Sequence, residues 1–197
     1  MLKIAVFVSG GGTDLQSVID ACQNASINGE IVLVVSNRKN AYGLERAKKA
    51  GIETQVVKND DQLLVKMLKE REVDLVVLAG YLAILTDELI DAYPNAIINI
   101  HPSLIPSFCG PGYYGMHVHD AVYNRGVKIS GATVHFVSSE VDGGPIIIQE
   151  TCDISDLNTP SEIQERVLEI EHRILPKAVA LYCDGKIKIV DGKAKVI

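Results

Sequence analysis

No Cys-x-x-Cys pair occurs in this chain of 197 residues. Cys22, Cys109, Cys152 and Cys183 are scattered, which argues against a zinc site or a disulfide framework and leaves reduced thiols in a cytoplasm as the simpler reading. Excess positive charge is missing as well. With 19 Lys and Arg against 25 Asp and Glu, the formal charge is -6, so no basic stripe exists to neutralise a nucleic-acid backbone and anionic ligands must be met locally. The apolar run at residues 2–8 is too short for a signal segment or a membrane span and leads straight into glycines, as a first strand would. There is no Gly-Lys-Ser or Gly-Lys-Thr phosphate loop, which leaves ATP hydrolysis without support. The dinucleotide fingerprint also fails. Leu15 stands where its third glycine is needed, and Ser36-Asn37-Arg38 where an acidic residue should end the second strand.

What is present fits one domain with an ample core, 47% of the residues being hydrophobic. Strand-like runs at 3–8, 31–36, 54–57 and 75–79 alternate with helical patterns, the signature of a doubly wound, largely parallel α/β sheet. The first helix buries Leu15, Val18, Ile19 and Cys22. A second covers 44–50, and a third, over 62–70, buries Leu63, Leu64, Met67 and Leu68. Thr86 caps a short helix whose Leu89, Ile90 and Tyr93 face inward, ahead of a strand that ends in His101. Residues 106–115, rich in proline and glycine, form an irregular, mobile loop that reads as a lid. A helix near 117–124, strands at 129–137 and 146–151, a long helix opened by the capping box Thr159-Pro160-Ser161-Glu162, and a C-terminal hairpin turning at Asp191-Gly192 complete the chain.

Two segments put polar side chains at the ends of apolar runs. In the buried run Ala96-Ile97-Ile98-Asn99-Ile100-His101, Asn99 and His101 lie two apart and hence on one face, where an amide and an imidazole can polarise a carbonyl. Asp142, in the turn Val141-Asp142-Gly143-Gly144-Pro145, is the candidate carboxylate to orient and charge that histidine. Gly10-Gly11-Gly12-Thr13-Asp14 joins the first strand to the first helix, where free backbone N–H groups favour an anion.

These segments together resemble the 10-formyltetrahydrofolate-dependent formyltransferases, whose signature is an Asn-x-His-Pro-Ser-Leu strand end and a later Asp-x-Gly-Pro-type turn. The likeness extends through Ser9–Thr13, Asn37, Leu44-Glu45-Arg46-Ala47, Leu78-Ala79-Gly80-Tyr81 and Glu171-His172, and is greatest to the small branch acting on glycinamide ribonucleotide in purine synthesis. The resemblance implies a Rossmann-like formyltransferase core and a cytoplasmic enzyme. It would use 10-formyltetrahydrofolate as co-substrate, with no metal, nucleic acid or membrane, and act as a monomer or homodimer. It implies His101 as catalytic acid, Asn99 as donor to the formyl oxygen and Asp142 as the residue that tunes His101. Gly11, Gly12, Thr13 and Asp14 would hold the substrate's ribose phosphate, with Glu171 also on the substrate. Leu82, Ala83, Ile84, Leu85, Ser138, Ser139, Glu140 and Val141 would line the folate pocket with Asn99 and Asp142.

Three departures bear on binding. Members of the family commonly carry arginine at Ala83 and another in the segment here shortened to Lys58-Asn59-Asp60-Asp61-Gln62, and asparagine at Asp14, whose carboxylate must point away from phosphate or cap the helix. His117 and His119 make a poor metal pair. His135 reads as a packed histidine, with a supporting role near the pocket as second reading, and Cys109 as a plain loop thiol. The alternatives are a sugar-nucleotide or other amine formyltransferase on the same core, and a non-catalytic anion- or nucleotide-binding module.

Overall fold

Along β1 (Leu2–Val8), Ile4, Val6 and Val8 pack to one side of the sheet while Ala5 and Phe7 pack to the other, and all five are fully buried in the computed structural model, which describes residues 1–197. That division runs through the molecule. One face carries a core of 31 buried residues under α1 (Thr13–Gln23), α2 (Tyr42–Lys49), α5 (Met116–Arg125) and α6 (Pro160–Cys183). The other carries 15 under α3 (Asp61–Glu70) and α4 (Asp87–Ala92). A strand covered on both faces must be apolar at every position, which is why β1, β2 (Gly29–Ser36) and β4 (Leu75–Leu78) read as near-continuous hydrophobic runs.

With β3 (Thr54–Val56), β5 (Ile97–His101), β6 (Ile129–Phe136) and β7 (Ile146–Asp153), the sheet has the order β3-β2-β1-β4-β5-β6-β7. The first five strands are parallel, and β6 and β7 are antiparallel. The chain winds outward from β1 to β3 and then returns to the far side of β1 as β4. The carboxyl ends of β1 and β4 therefore form a topological switch point, where a crevice opens between diverging loops. β8 (Ile187–Val190) and β9 (Lys193–Val196) make the C-terminal hairpin.

The start of α6 is a reciprocal capping box. Thr159 Oγ1 accepts the Glu162 N–H, and the Glu162 carboxylate accepts from Thr159 Oγ1 and the Asn158 N–H. Two local expectations are corrected. Leu63 is exposed, because the buried stripe of α3 is Leu64, Met67 and Leu68 and the helix is pinned at its start by Asp60, whose carboxylate accepts the Leu63 N–H. Thr86 does not cap α4 with its side chain; its hydroxyl and N–H both donate to Asp61, tying α4 to α3.

Candidate active site

At the switch point lies a cavity of about 720 Å³, within the range of small-molecule sites. Its wall contains the glycine turn after β1, residues 78–85 after β4, the end of β5, part of the loop after β5, the turn after β6 and one side of α6. Ser9 joins two of these and ties them to the end of β2: its hydroxyl donates to Asn37 at 2.7 Å and accepts the Leu82 N–H at 2.8 Å.

The polar cluster is built on the β5–β6 register. Asn99 pairs with His135 and His101 with Thr133 across the antiparallel ladder, so both β5 side chains acquire neighbours from a strand more than thirty residues away. His135 Nδ1–H donates to the Phe136 carbonyl at 2.8 Å, leaving Nε2 to accept from the Asn99 amide at 3.1 Å. The Asn99 amide is thereby turned and held. His101 Nε2–H donates to the Phe108 carbonyl at 2.9 Å, which places the neutral ring's free lone pair on Nδ1. Phe108 is fixed in turn by Ser103, whose buried hydroxyl donates to the Ser107 and Phe108 carbonyls, while Thr133 Oγ1 donates to the Ser103 carbonyl.

Asp142 sits between the two imidazoles. Its Oδ2 is 3.6 Å from His101 Nδ1 and its Oδ1 is 3.7 Å from His135 Nε2. Its short hydrogen bond goes elsewhere, from the Gly110 N–H at 2.8 Å. The residue adopts φ 58°, a conformation in which aspartate is among the few tolerated side chains. Two residues on, Gly144 lies so close to the Phe136 carbonyl that a Cβ would collide with it, which explains the glycine of the Asp-Gly-Gly-Pro turn.

Burial is the largest influence on Asp142 and pulls its carboxyl upward, but His135, His101 and the Gly110 N–H together hold it below its ordinary value. For His101 burial wins. The expectation that Asp142 raises the basicity of this ring is correct for that one contribution, yet the net direction is downward, because burial outweighs Asp142 and the Phe108 carbonyl, and His135 adds to the lowering. His119, also on the cavity wall, is buried with an unpartnered Nδ1 and is pushed down to about 4 by burial. No group of three His, Cys, Asp or Glu side chains is placed to hold a metal ion.

The remaining candidates line the same cavity: Gly11, Gly12, Thr13, Asp14 and Glu171 from α1 and α6 and the turn before α1, and 82–85 and 138–141 from the segments after β4 and β6. Gly12 has φ 71° and packs so tightly against α2 that a Cβ would stand 2.6 Å from Gly43 Cα. Asp14 neither caps α1 nor turns away from the cavity. Its carboxylate is buried with an unpartnered Oδ1, 3.7 Å from His172 Nε2. Glu171 is likewise no solvated helix charge, being only 7% exposed.

Sequence reasoning gave His135 too little weight and missed the Ser103–Phe108 link. The alternation of β6 signals that His135 shares a face with Thr133, but not that the partner is Asn99. Arg38, the only Lys or Arg on the cavity wall, was weighed solely as a missing acidic residue.

A model of the formyl transferase family matches residues 2–179. The phosphoribosylglycinamide formyltransferase of Haemophilus influenzae is 39% identical over 202 residues, covering 98% of this chain and 93% of that protein. The chloroplastic phosphoribosylglycinamide formyltransferase of Arabidopsis thaliana is 42% identical over 195 residues, and the match spans 94% of this chain and 67% of the plant protein. Among solved structures, glycinamide ribonucleotide transformylase 1 from Symbiobacterium toebii superposes with a TM-score of 0.94 at 38% identity, over all of this chain and 94% of that one. Similarity in sequence and in backbone over the same near-complete span makes the relationship one of descent: the chain belongs to the formyl transferase family, with the phosphoribosylglycinamide formyltransferases.

Proposed function

We propose that this enzyme transfers the formyl group of 10-formyltetrahydrofolate to the amine of 5'-phosphoribosylglycinamide, a step of purine biosynthesis. The observation that carries the reading is the Asn99–His135–Asp142–His101 cluster at the switch-point cavity, whose wall also holds a glycine turn and an apolar rim. Leu82, Ile84 and Val141 are exposed on that rim, as suits the flat face of a pterin. The glycine turn suits a ribose phosphate.

In the reaction the substrate amine attacks the formyl carbon. A C–N bond forms, negative charge collects on the formyl oxygen, and the bond from that carbon to the folate nitrogen breaks as the nitrogen takes up the proton that the amine gives up. Asn99 has one amide N–H engaged by His135 and directs the other to the formyl oxygen. His101 is held through Nε2, so the proton that makes it an acid is the one the ring takes up at Nδ1, on the side of Asp142. The 3.6 Å separation there exceeds a direct hydrogen bond and leaves the Nδ1 proton for the oxyanion or for a bridging water. Asp142 stabilises positive charge on the ring and relays the amine proton. The four unpaired cysteines suit a cytoplasmic location.

Spectroscopic measurement of folate release, with and without glycinamide ribonucleotide, tests the assignment. Release should depend on the nucleotide and match formylated product one for one. Equal release in its absence would mean hydrolysis, and no release with either would mean a binding module.

A further inference from the structure

The cavity wall carries four carboxylates, Asp14, Glu140, Asp142 and Glu171, against the single guanidinium of Arg38. Both proposed substrates are anions. The conflict is sharpest at the glycine turn, where Asp14 and Glu171 are buried to 8% and 7% exposure and both reach the cavity. No donor lies within hydrogen-bonding distance of Asp14 Oδ1. α6 supplies Glu171 and His172 beside it. His172 is 3.7 Å away, beyond a direct hydrogen bond, and burial and Arg46 both disfavour its charged form, which weakens it as a counter-charge. Arg46, from α2, is turned to the Gly11 carbonyl at 2.8 Å and to Gln16. β2 contributes apolar Ile31 and Val34 to the core beneath α1.

Two buried carboxyls without a cation are most stable when they hold a proton between them. We propose that Asp14 and Glu171 form a proton-sharing pair that gates the glycine cradle, so that the ribose phosphate is accepted when Asp14 is a neutral acid. The inference rests on the glycinamide ribonucleotide reading for the identity of the phosphate; the pair itself is argued from two buried carboxyls on one cavity wall, with no cation beside them and Asp14 Oδ1 unpartnered. In its protonated form Asp14 presents an O–H donor toward the cradle in place of a repelling charge. Binding a dianion stabilises that proton further, so binding takes up a proton from solvent. Burial pushes Asp14 up to about 6, and burial together with the charge of Asp14 holds Glu171 well above the usual carboxylate range.

Two measurements test this. Carbon-13 NMR titration of the Glu171 carboxyl, without ligand, should show its pKa falling in Asp14→Asn, because a like charge has been removed; identical titration in both proteins overturns the pair. Calorimetry of glycinamide ribonucleotide binding, in buffers of different ionisation enthalpy, should show proton uptake by the wild type beyond that of Asp14→Asn. The affinity ratio of wild type to variant should fall about tenfold or more between pH 6 and pH 8, and the substrate phosphate's own ionisation cancels in that ratio. Equal proton uptake and a flat ratio overturn the gating. Should Asp14→Asn misfold, Glu171→Gln provides the same comparison from the other side. If the nucleotide binds neither protein, the substrate reading and the gating fall together, while the NMR result still decides the pair.

Discussion

Exchanging Asp142 for asparagine removes a charge and keeps a loop anchor. An asparagine side-chain oxygen in place of Oδ2 still accepts the Gly110 N–H, so what disappears is the attraction between a carboxylate and a protonated His101 ring at 3.6 Å. A unit-charge pair at that separation is worth about 1 kcal/mol under water-like screening and about 4–5 kcal/mol at an effective dielectric of about 20. His101 is buried, so the larger figure bounds the loss. Asp142→Asn should therefore reduce kcat by between about 5-fold and a few thousandfold, with KM for both substrates within a few-fold of wild type. Steady-state kinetics measure that split, and NMR titration of the His101 ring reads its cause. The ring, already below its ordinary value through burial, should titrate lower still, moving the alkaline limb of the kcat profile to lower pH. A His101 pKa that stays put or rises, or a kcat within twofold of wild type, would refute the charge argument and leave Asp142 as the anchor of Gly110.

Three further expectations follow from the geometry. His101→Ala, which loses the Nδ1 proton, should cost about 100-fold or more in kcat with the fold intact by circular dichroism; near-normal turnover would remove the ring from the chemistry. Gly144→Ala drives a methyl into the Phe136 carbonyl and should lower the urea unfolding free energy by about 1–3 kcal/mol, and an unchanged midpoint would show that the turn can yield. Asp14→Asn should stabilise the fold at neutral pH. A carboxyl raised from 3.8 to about 6 favours the folded state below the lower value and loses that contribution as pH rises through the upper one, a difference of about 3 kcal/mol. Urea midpoints of wild type and variant should thus converge near pH 4 and separate by pH 7.5; parallel curves would contradict the burial of a chargeable Asp14.

The sheet was legible because its parallel strands are covered on both faces, so β1, β2 and β4 spell themselves as apolar runs and their helices as stripes. Asn99, His101 and Asp142 were legible because polar side chains at the ends of such runs have no packing purpose. The partners that hold them were not. That His135 grips Asn99 depends on which residues face each other across β5 and β6, a register decided by contacts distant in sequence. The route from Thr133 through Ser103 and Phe108 to His101 crosses from strand to loop and back, and no local pattern encodes it. Thr86 was misjudged because a hydroxyl at a helix start has a second option when Asp61 from another helix lies nearer. The environment of Asp14 required knowing that α6 lies against α1.

The register of β5 and β6 also separates what can drift in this protein from what cannot. Asn99, His101 and His135 are borne by strands whose hydrogen-bond ladder sets their spacing, and moving β6 by one residue would turn His135 to the opposite face. Residues 58–60 and 82–85 lie in the connections after β3 and β4, outside any such ladder. Those connections can change one at a time, while an insertion or deletion within the two strands would break the Asn99–His135 and His101–Asp142 geometry together. Among relatives of this chain, variation in ligand affinity should therefore accumulate in the loops long before the chemistry changes.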